Sequence, residues 1–368
     1  MSDDARFMAA ALALGRRHLG LTAPNPSVGA LIVSGTCVVG AAATAPGGRP
    51  HAETQALAEA GERARGATMY VTLEPCAHHG ITPPCANATV AAGVSRVVCA
   101  LQDPDPRVAG QGLARLSEAG VEVALGEGAE AARRDHLGHI LRVSEGRPMV
   151  TLKIARTADG YAAGDEHDPR LNITGEIANR RTHTYRATHE AVMIGVGSVL
   201  GDDPLLTVRQ LGLDARPFRV VLDSRLRLPL GSRICATAKD YPTIVIAGAS
   251  AAVKLEAELR ERGVEVLRVA EVAEGRLDLR EALGLLARRG LTRVFSEGGP
   301  TIGSALIRLG LADEVILLTA EKPLGRPGRA ALEPDALAAL GDTARYTEAT
   351  GANYGPDAMR RWERRIAE

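Results

Sequence analysis

The sequence predicts two successive α/β domains, and three observations lead there. The chain has 368 residues, enough for two domains that each bury a core. Short apolar runs alternate with segments of helical period, the pattern of strand–helix units. That alternation is interrupted by the polar stretch Ser144-Glu145-Gly146-Arg147-Pro148 and restarts at Met149. The expected domains are therefore 1–146 and 147–368.

In the first domain, residues 3–19 form an Ala-rich amphipathic helix, and 28–33 with 37–40 form an apolar hairpin turned through Ser34-Gly35. A helix follows His51 through Ala56, Leu57 and Ala60 to a stop at Gly61 or Gly66. Residues 68–73 are a strand, which Pro75 ends, presenting Cys76 at a helix entrance. The helix carrying Cys85 closes at 90–93, and 95–101 is the next strand. His51 and the cysteine pair are thus expected at the starts of two helices, where the helix dipole favours thiolate.

In the second domain, strands are expected at 149–155, 190–195, 217–223, 243–247, 264–269, 292–296 and 313–319. Helices are expected at 175–187, 277–289 and 300–309, with loops at 325–328 and around Gly355-Pro356-Asp357.

Composition narrows the function. Hydrophobic residues make up 45% and aromatics 3%, so the cores rest on Ala, Val, Leu and Ile. Lys plus Arg and Asp plus Glu both total 44, and zero net charge gives no global field for a polyanion. With so few aromatics to stack on bases, a nucleic-acid-editing protein is disfavoured. Five cysteines, an odd number, do not form a secreted disulfide framework. Cys37, Cys99 and Cys235 sit in apolar runs and are expected in the core. The acidic N-terminus is unlike a signal peptide, and no apolar run approaches the roughly 20 residues of a membrane span. A cytoplasmic protein without membrane or nucleic-acid partners is expected.

The chemistry is concentrated in Pro50-His51-Ala52-Glu53, Glu74-Pro75-Cys76 and Pro83-Pro84-Cys85. One imidazole and two thiolates supply three ligands to a tetrahedral zinc and leave the fourth position for water. Glu53, two residues past His51, is placed to shuttle a proton. His-x-Glu followed by Pro-Cys and a further Cys is the signature of zinc nucleobase deaminases. A purely structural zinc site would recruit a fourth protein ligand. The two cysteines are separated by eight residues, where nucleic-acid and free-base deaminases have two. In the second domain, Gly195-Val196-Gly197-Ser198 and Ser296-Glu297-Gly298-Gly299-Pro300-Thr301 put glycines between a strand and a helix. Such turns admit phosphate to backbone N–H groups, or are plain tight turns.

The order of motifs resembles the bifunctional riboflavin-biosynthesis deaminase–reductase family over nearly the whole chain. The matches in the first half are Pro24-Asn25-Pro26, Val28-Gly29, the His51 and Glu53 motif, 72–80 through Cys76, Thr82-Pro83-Pro84-Cys85 and 102–106. In the second half they are Thr151-Leu152-Lys153, Asp159-Gly160, 202–209 and Glu297-Gly298-Gly299-Pro300-Thr301. The long insertion between the cysteines is itself a mark of this family. The resemblance implies a cytidine-deaminase-like α/β/α domain followed by a dihydrofolate-reductase-like α/β domain. It implies zinc-dependent deamination of 2,5-diamino-6-ribosylamino-4(3H)-pyrimidinone 5′-phosphate, then NADPH-dependent reduction of ribosyl to ribityl, in a homo-oligomer. It further implies that Asn25, His78 and Asp103 hold the first substrate. Lys153, Arg186, Asp202, Arg209 and Glu297 would hold the second, with Ser198, Gly298, Gly299, Pro300 and Thr301 near the cofactor.

The chain departs from the family pattern at Ile81, where Lys or Arg is usual, leaving Arg49, Arg107 or a partner residue for the phosphate. It departs again at Arg170-Leu171-Asn172, where the family has Ser-x-Trp. Arg170 then offers another phosphate contact, or the pocket takes a different phosphorylated compound and the chain is a deaminase alone. Plainer roles also exist: Lys153 lying along a domain edge, Arg186 on a solvated face, Asp202 and Asp103 capping turns.

Overall fold

A computed structural model of the chain describes residues 2–78, 83–165, 168, 171–272 and 275–366. The chain forms two compact units, Met1–Arg147 and Pro148–Glu368.

The first unit runs α1 (Asp3–Arg16), β1 (Gly29–Ser34), β2 (Cys37–Ala43), α2 (Ala52–Ala60), β3 (Thr68–Val71), α3 (Cys85–Ala91) and β4 (Arg96–Cys99). It continues with α4 (Gln111–Glu118), β5 (Glu122–Leu125), α5 (Ala129–Asp135) and α6 (Leu137–Ser144). The sheet order is β2-β1-β3-β4-β5, with β3, β4 and β5 parallel and β1 antiparallel to both its neighbours. Strand alternation splits the apolar residues between two faces. Leu31, Val33, Tyr70 and Val98 pack with Phe7, Met8 and Ala132 of α1 and α5. Ile32, Met69, Val71 and Val97 pack with Ala56, Ala86 and Leu116 of α2, α3 and α4. The result is an α/β/α sandwich.

Two local features fix this unit. A methyl group on Gly29 would stand 1.9 Å from the Ala11 carbonyl oxygen, so only glycine lets α1 lie this close on β1. The second is Glu74, buried just after β3. One carboxylate oxygen accepts the N–H groups of Asp103 (3.2 Å) and Gly110 (3.0 Å). The other accepts those of Gly112 (2.8 Å) and Leu113 (3.2 Å) in the first turn of α4. The carboxylate thus satisfies donors that the helix start leaves unpaired, where negative charge is also favoured. Gly112 completes the fit, since a methyl there would lie 2.0 Å from the Pro75 carbonyl oxygen. The loop after β4 is thereby held to Glu74-Pro75-Cys76.

The second unit runs β6 (Met149–Arg156), β7 (Tyr161–Ala163), α7 (Glu176–Ala187), β8 (Ala191–Gly195), α8 (Val196–Asp202), β9 (Phe218–Leu222) and α9 (Arg233–Ala236). Next come β10 (Thr243–Gly248), α10 (Val253–Glu261), β11 (Glu265–Val269), β12 (Glu271–Val272), β13 (Arg276–Leu277), α11 (Leu279–Arg288), β14 (Arg293–Ser296) and α12 (Pro300–Arg308). It ends with β15 (Glu314–Thr319), β16 (Arg329–Ala330), α13 (Pro334–Gly341), β17 (Tyr346–Tyr354) and β18 (Asp357–Arg364). The main sheet has the order β11-β10-β9-β8-β14-β6-β15-β18-β17, parallel as far as β15 and antiparallel beyond it. Leu152, Val220, Ile244, Val294 and Val315 fill one face, and Val192, Ile194, Val221, Val245 and Phe295 the other. Arg219 of β9 is fully buried without a carboxylate partner in its hydrogen bonds. It donates instead to the hydroxyls of Thr237 and Thr243 and to the carbonyls of Leu205, Ile234 and Tyr241. Burial lowers its pKa to about 10.

Three expectations are corrected. The first helix ends at Arg16 rather than at residue 19. The segment around Gly355-Pro356-Asp357 is the turn of the β17–β18 hairpin, not a free loop; β17 is an edge strand and reads polar, so its sequence carries no alternating apolar pattern. Cys37 is exposed at the start of edge strand β2, whereas Cys99 and Cys235 are buried as expected. Among the described residues no helix is long and apolar enough to cross a membrane.

Gly29→Ala is expected to destabilise the fold by about 1–3 kcal/mol through overpacking. Glu74→Gln, which turns an amide toward four backbone donors, is expected to cost about 2–4 kcal/mol. Urea denaturation of each variant checks both. A change below about 0.5 kcal/mol, the scale of a neutral surface substitution, would contradict the corresponding packing or clamp.

Candidate active sites

In the first unit, the sequence brings its three metal-binding candidates to one point. His51 stands immediately before α2, at its N-cap, and its Nδ1 lies 3.8 Å from Cys76 Sγ and 3.4 Å from Cys85 Sγ. The Cys85 N–H donates to Cys76 Sγ at 3.3 Å, and the three donor atoms lie within 4.8 Å of one another. Bond lengths of 2.0–2.3 Å around a tetrahedral zinc put donor atoms roughly 3.5–3.8 Å apart, close to the two imidazole–thiol separations found here. Cys85 is the first residue of α3, but Cys76 lies in the turn after β3, which corrects the expectation that both cysteines begin a helix. Hydrogen bonding from Cys85, aided by His51, brings the Cys76 thiol down to about 4. The Cys85 thiol is instead pushed up, by Cys76, by burial and by the nearby Glu53.

Glu53 sits in the first turn of α2, 4% exposed. Burial raises its carboxyl above the usual range despite the opposing pull of His51. Asn25 Nδ2 donates to the Gly48 carbonyl at 2.7 Å, steadying the turn that leads into His51. His78 is exposed two residues beyond Cys76. Asp103 is buried after β4, and its Oδ1 receives both the Asp105 N–H and His139 Nε2 at 2.9 Å. The turn-capping role is therefore real, and the pairing with His139 is added to it. Arg107 is paired with Asp105, whose carboxyl it holds at about 2. Arg49 is half-buried just before Pro50. Ile81 lies outside the described residues.

In the second unit, Arg186 and Glu297 form a two-pronged ion pair, with Nε to Oε1 at 2.6 Å and Nη2 to Oε2 at 3.0 Å. The third Arg186 nitrogen, Nη1, donates to the Thr207 carbonyl at 3.0 Å. Burial opposes ionisation of Glu297, but the positive charge and hydrogen bonds of Arg186 outweigh it, and the carboxyl lies below its usual range. Lys153 adds to that pull. It lies on β6, an interior strand flanked by β14 and β15, rather than at a domain edge. Arg186, with 11% of its side chain exposed, is not on a solvated face. Arg209 Nη1 donates to Thr207 Oγ1 at 2.9 Å, and its backbone N–H to His183 Nδ1 at 3.2 Å. His183 had no signal in the sequence beyond its helical position.

Most of the remaining residues follow two neighbouring strands, β8 and β14. Strands β8 and β14 are parallel neighbours, and the chain proceeds from β8 outward through β9, β10 and β11 while β14 abuts β6. In open parallel sheets ligands bind at such a reversal, outside the carboxyl ends of the strands. Ser198 is half-buried in α8, which leaves β8. Gly299 and Pro300 begin α12, which leaves β14. A methyl group on Gly197 or Gly299 would meet nothing within 4 Å, so backbone faces open space there. Gly298 is different: it is buried against Ile302, 2.8 Å from a built methyl, and serves packing. Thr301 is exposed, within 3.2 Å of Arg329 Nη2, and Asp202 ends α8 on an exposed position. Asn172 is exposed, and Arg170 lies outside the described residues.

Comparison with known proteins gives a match for each unit. Residues 1–101 match the cytidine and deoxycytidylate deaminase zinc-binding region, and residues 148–353 match the RibD C-terminal domain. The riboflavin biosynthesis protein RibD of Escherichia coli is 37% identical over 369 residues, covering 96% of this chain and 98% of that protein. The Aquifex aeolicus protein of the same name is 38% identical over 326 residues, 88% of each chain. Among solved structures, Acinetobacter baumannii RibD superposes with a TM-score of 0.86 at 35% identity over 99% of both chains. A Thermotoga maritima diaminohydroxyphosphoribosylaminopyrimidine deaminase/5-amino-6-(5-phosphoribosylamino)uracil reductase gives 0.83 at 29% identity over 98% of this chain and 99% of its own. With three donors placed for zinc in one unit, a RibD C-terminal domain match in the other and likeness along the whole length, the chain belongs to the RibD family of bifunctional riboflavin-biosynthesis enzymes.

Proposed function

We propose that residues 1–146 hydrolytically deaminate 2,5-diamino-6-ribosylamino-4(3H)-pyrimidinone 5′-phosphate and that residues 147–368 reduce the ribosyl group of the product to ribityl. The observation that carries the first half is the meeting of His51, Cys76 and Cys85 beside a buried Glu53. A zinc ion on those three donors supplies a water acidified toward neutral pH. Glu53 would accept one proton from the attacking water and deliver it to the ring nitrogen, then accept the second from the new hydroxyl and deliver it to the departing amino group, which leaves as ammonia. Burial raises the basicity of its carboxylate, which suits a group that must both accept and give a proton. Asn25, His78 and Asp103 hold the pyrimidine and ribose, and Glu74 keeps the Asp103 loop in register with Cys76.

In the second half NADPH supplies the reducing equivalents. Its phosphates would be held at the carboxyl ends of β8 and β14 by Ser198 and by Gly299, Pro300 and Thr301 at the start of α12, while Gly298 packs on Ile302. Lys153, Arg186, Asp202, Arg209 and Glu297 bind the phosphorylated sugar. Arg186 and Glu297 neutralise one another, which orients both without leaving a buried charge unpaired. Cytoplasmic residence and a homo-oligomeric state belong to the same reading.

Glu53→Gln is expected to keep its zinc and lose ammonia release by at least about 100-fold, the scale of a proton-transfer residue. Cys85→Ser is expected to lower zinc content, because a hydroxyl replaces a thiolate. Metal analysis beside an ammonia assay checks both; parent-level ammonia release by Glu53→Gln, or full zinc in Cys85→Ser, would overturn the role concerned.

A further inference from the structure

The segment 203–210 carries Arg209, and its backbone does not hold its shape by itself. Leu206 and Gln210 have φ of 53° and 65°, and Asp203 has 39°, all in the left-handed region. For residues with a β carbon this conformation costs roughly 1–2 kcal/mol each. Such a path persists only where surrounding groups over-determine it. From one side Arg219 donates to the Leu205 carbonyl at 3.4 Å. From the other, α7 supplies two ties. Arg186 Nη1 reaches the Thr207 carbonyl at 3.0 Å, and His183 Nδ1 accepts the Arg209 N–H at 3.2 Å. His183 and Arg186 are three residues apart and so share a helix face.

His183 is suited to that tie by its surroundings. It is 8% exposed, and burial together with Arg186 and Arg209 holds its pKa below the usual 6.5. The ring therefore stays neutral, with Nδ1 as acceptor and the hydrogen on Nε2. A cationic ring would lose the acceptor and add a third positive charge beside two guanidinium groups.

We infer that His183 is a positioning residue of the reductase site, fixing the Arg209 backbone through Nδ1 so that the guanidinium meets the phosphorylated substrate. The inference rests on the reading of Arg209 as a substrate contact. It acts through a backbone N–H, so a substitute needs only an acceptor at the Nδ1 position. Asparagine provides one; leucine fills similar space without it.

The test is NADPH oxidation with the already deaminated ribosylamino-uracil phosphate, using the full chain. Arg209→Ala, His183→Leu and His183→Asn are compared, each checked by thermal melting. His183→Leu should raise KM about tenfold with kcat within about threefold, the effect of losing one hydrogen bond of about 1.4 kcal/mol. His183→Asn should return KM to within about threefold of the parent. Ammonia release from the diamino compound should be unchanged in both. A parent-like KM in His183→Leu while Arg209→Ala is impaired overturns the inference alone. A parent-like KM in both overturns the reading of Arg209 as well. If His183→Leu does not fold, His183→Asn decides: a KM raised tenfold in a folded Asn variant means that the ring, not its Nδ1, is needed, and the inference fails.

Discussion

Parallel pairing of strands is the constraint from which both sites follow. Parallel neighbours force the chain to cross back through a helix, so every turn that leaves a strand emerges on the same edge. In the first unit β3 and β4 are such neighbours, and the turns after them carry Cys76 and Asp103. In the second, β8 and β14 are parallel neighbours, and the turns after them carry Gly197, Ser198, Glu297 and Gly299. Residues far apart in sequence are collected on one edge before any side chain makes a specific contact.

The two units then solve the burial of charge differently. Glu74 is surrounded by four backbone N–H groups, and its charge becomes a fastener for a loop and a helix start. Glu297 is met by a guanidinium in two-pronged geometry, in the turn that leaves β14. Arg219 has neither, and is satisfied by hydroxyls and carbonyls alone. In each case a buried polar group is engaged: Glu74 and Arg219 hold backbone directly, and Glu297 holds Arg186, whose Nη1 reaches the Thr207 carbonyl. Glu53 is the contrast. Its burial is only partly offset by hydrogen bonds, and the raised carboxyl that results is the property a proton shuttle uses.

The sequence made the metal donors legible because their chemistry is rare: imidazole and thiolates in a fixed order have few other uses. Most strands of the two main sheets were legible too, as short apolar runs, but β5, partly exposed at the edge of the first sheet, was not expected. What escaped notice acts through backbone over long separations. Glu74 works on Gly112 and Leu113, and His183 on the N–H of Arg209, and no local pattern announces either bond. The hairpin β17–β18 was missed because β17, an edge strand facing solvent, need not alternate, and β18, though alternately buried, is rich in charged residues; Cys37 was misplaced because β2 is likewise an edge. Lys153 was readable as a surface lysine until the strand order put β6 in the interior of the sheet.

The central claim is that one chain holds two chemistries with separate requirements. The most direct measurement assays zinc-depleted and zinc-restored protein in two ways: ammonia release from the diamino substrate, and NADPH oxidation with the already deaminated ribosylamino-uracil phosphate. The account predicts that depletion lowers ammonia release at least about 100-fold, restored by zinc, while NADPH oxidation from the deaminated compound continues unchanged. Absence of NADPH oxidation in the zinc-replete protein would contradict it, leaving a deaminase joined to a unit of another purpose.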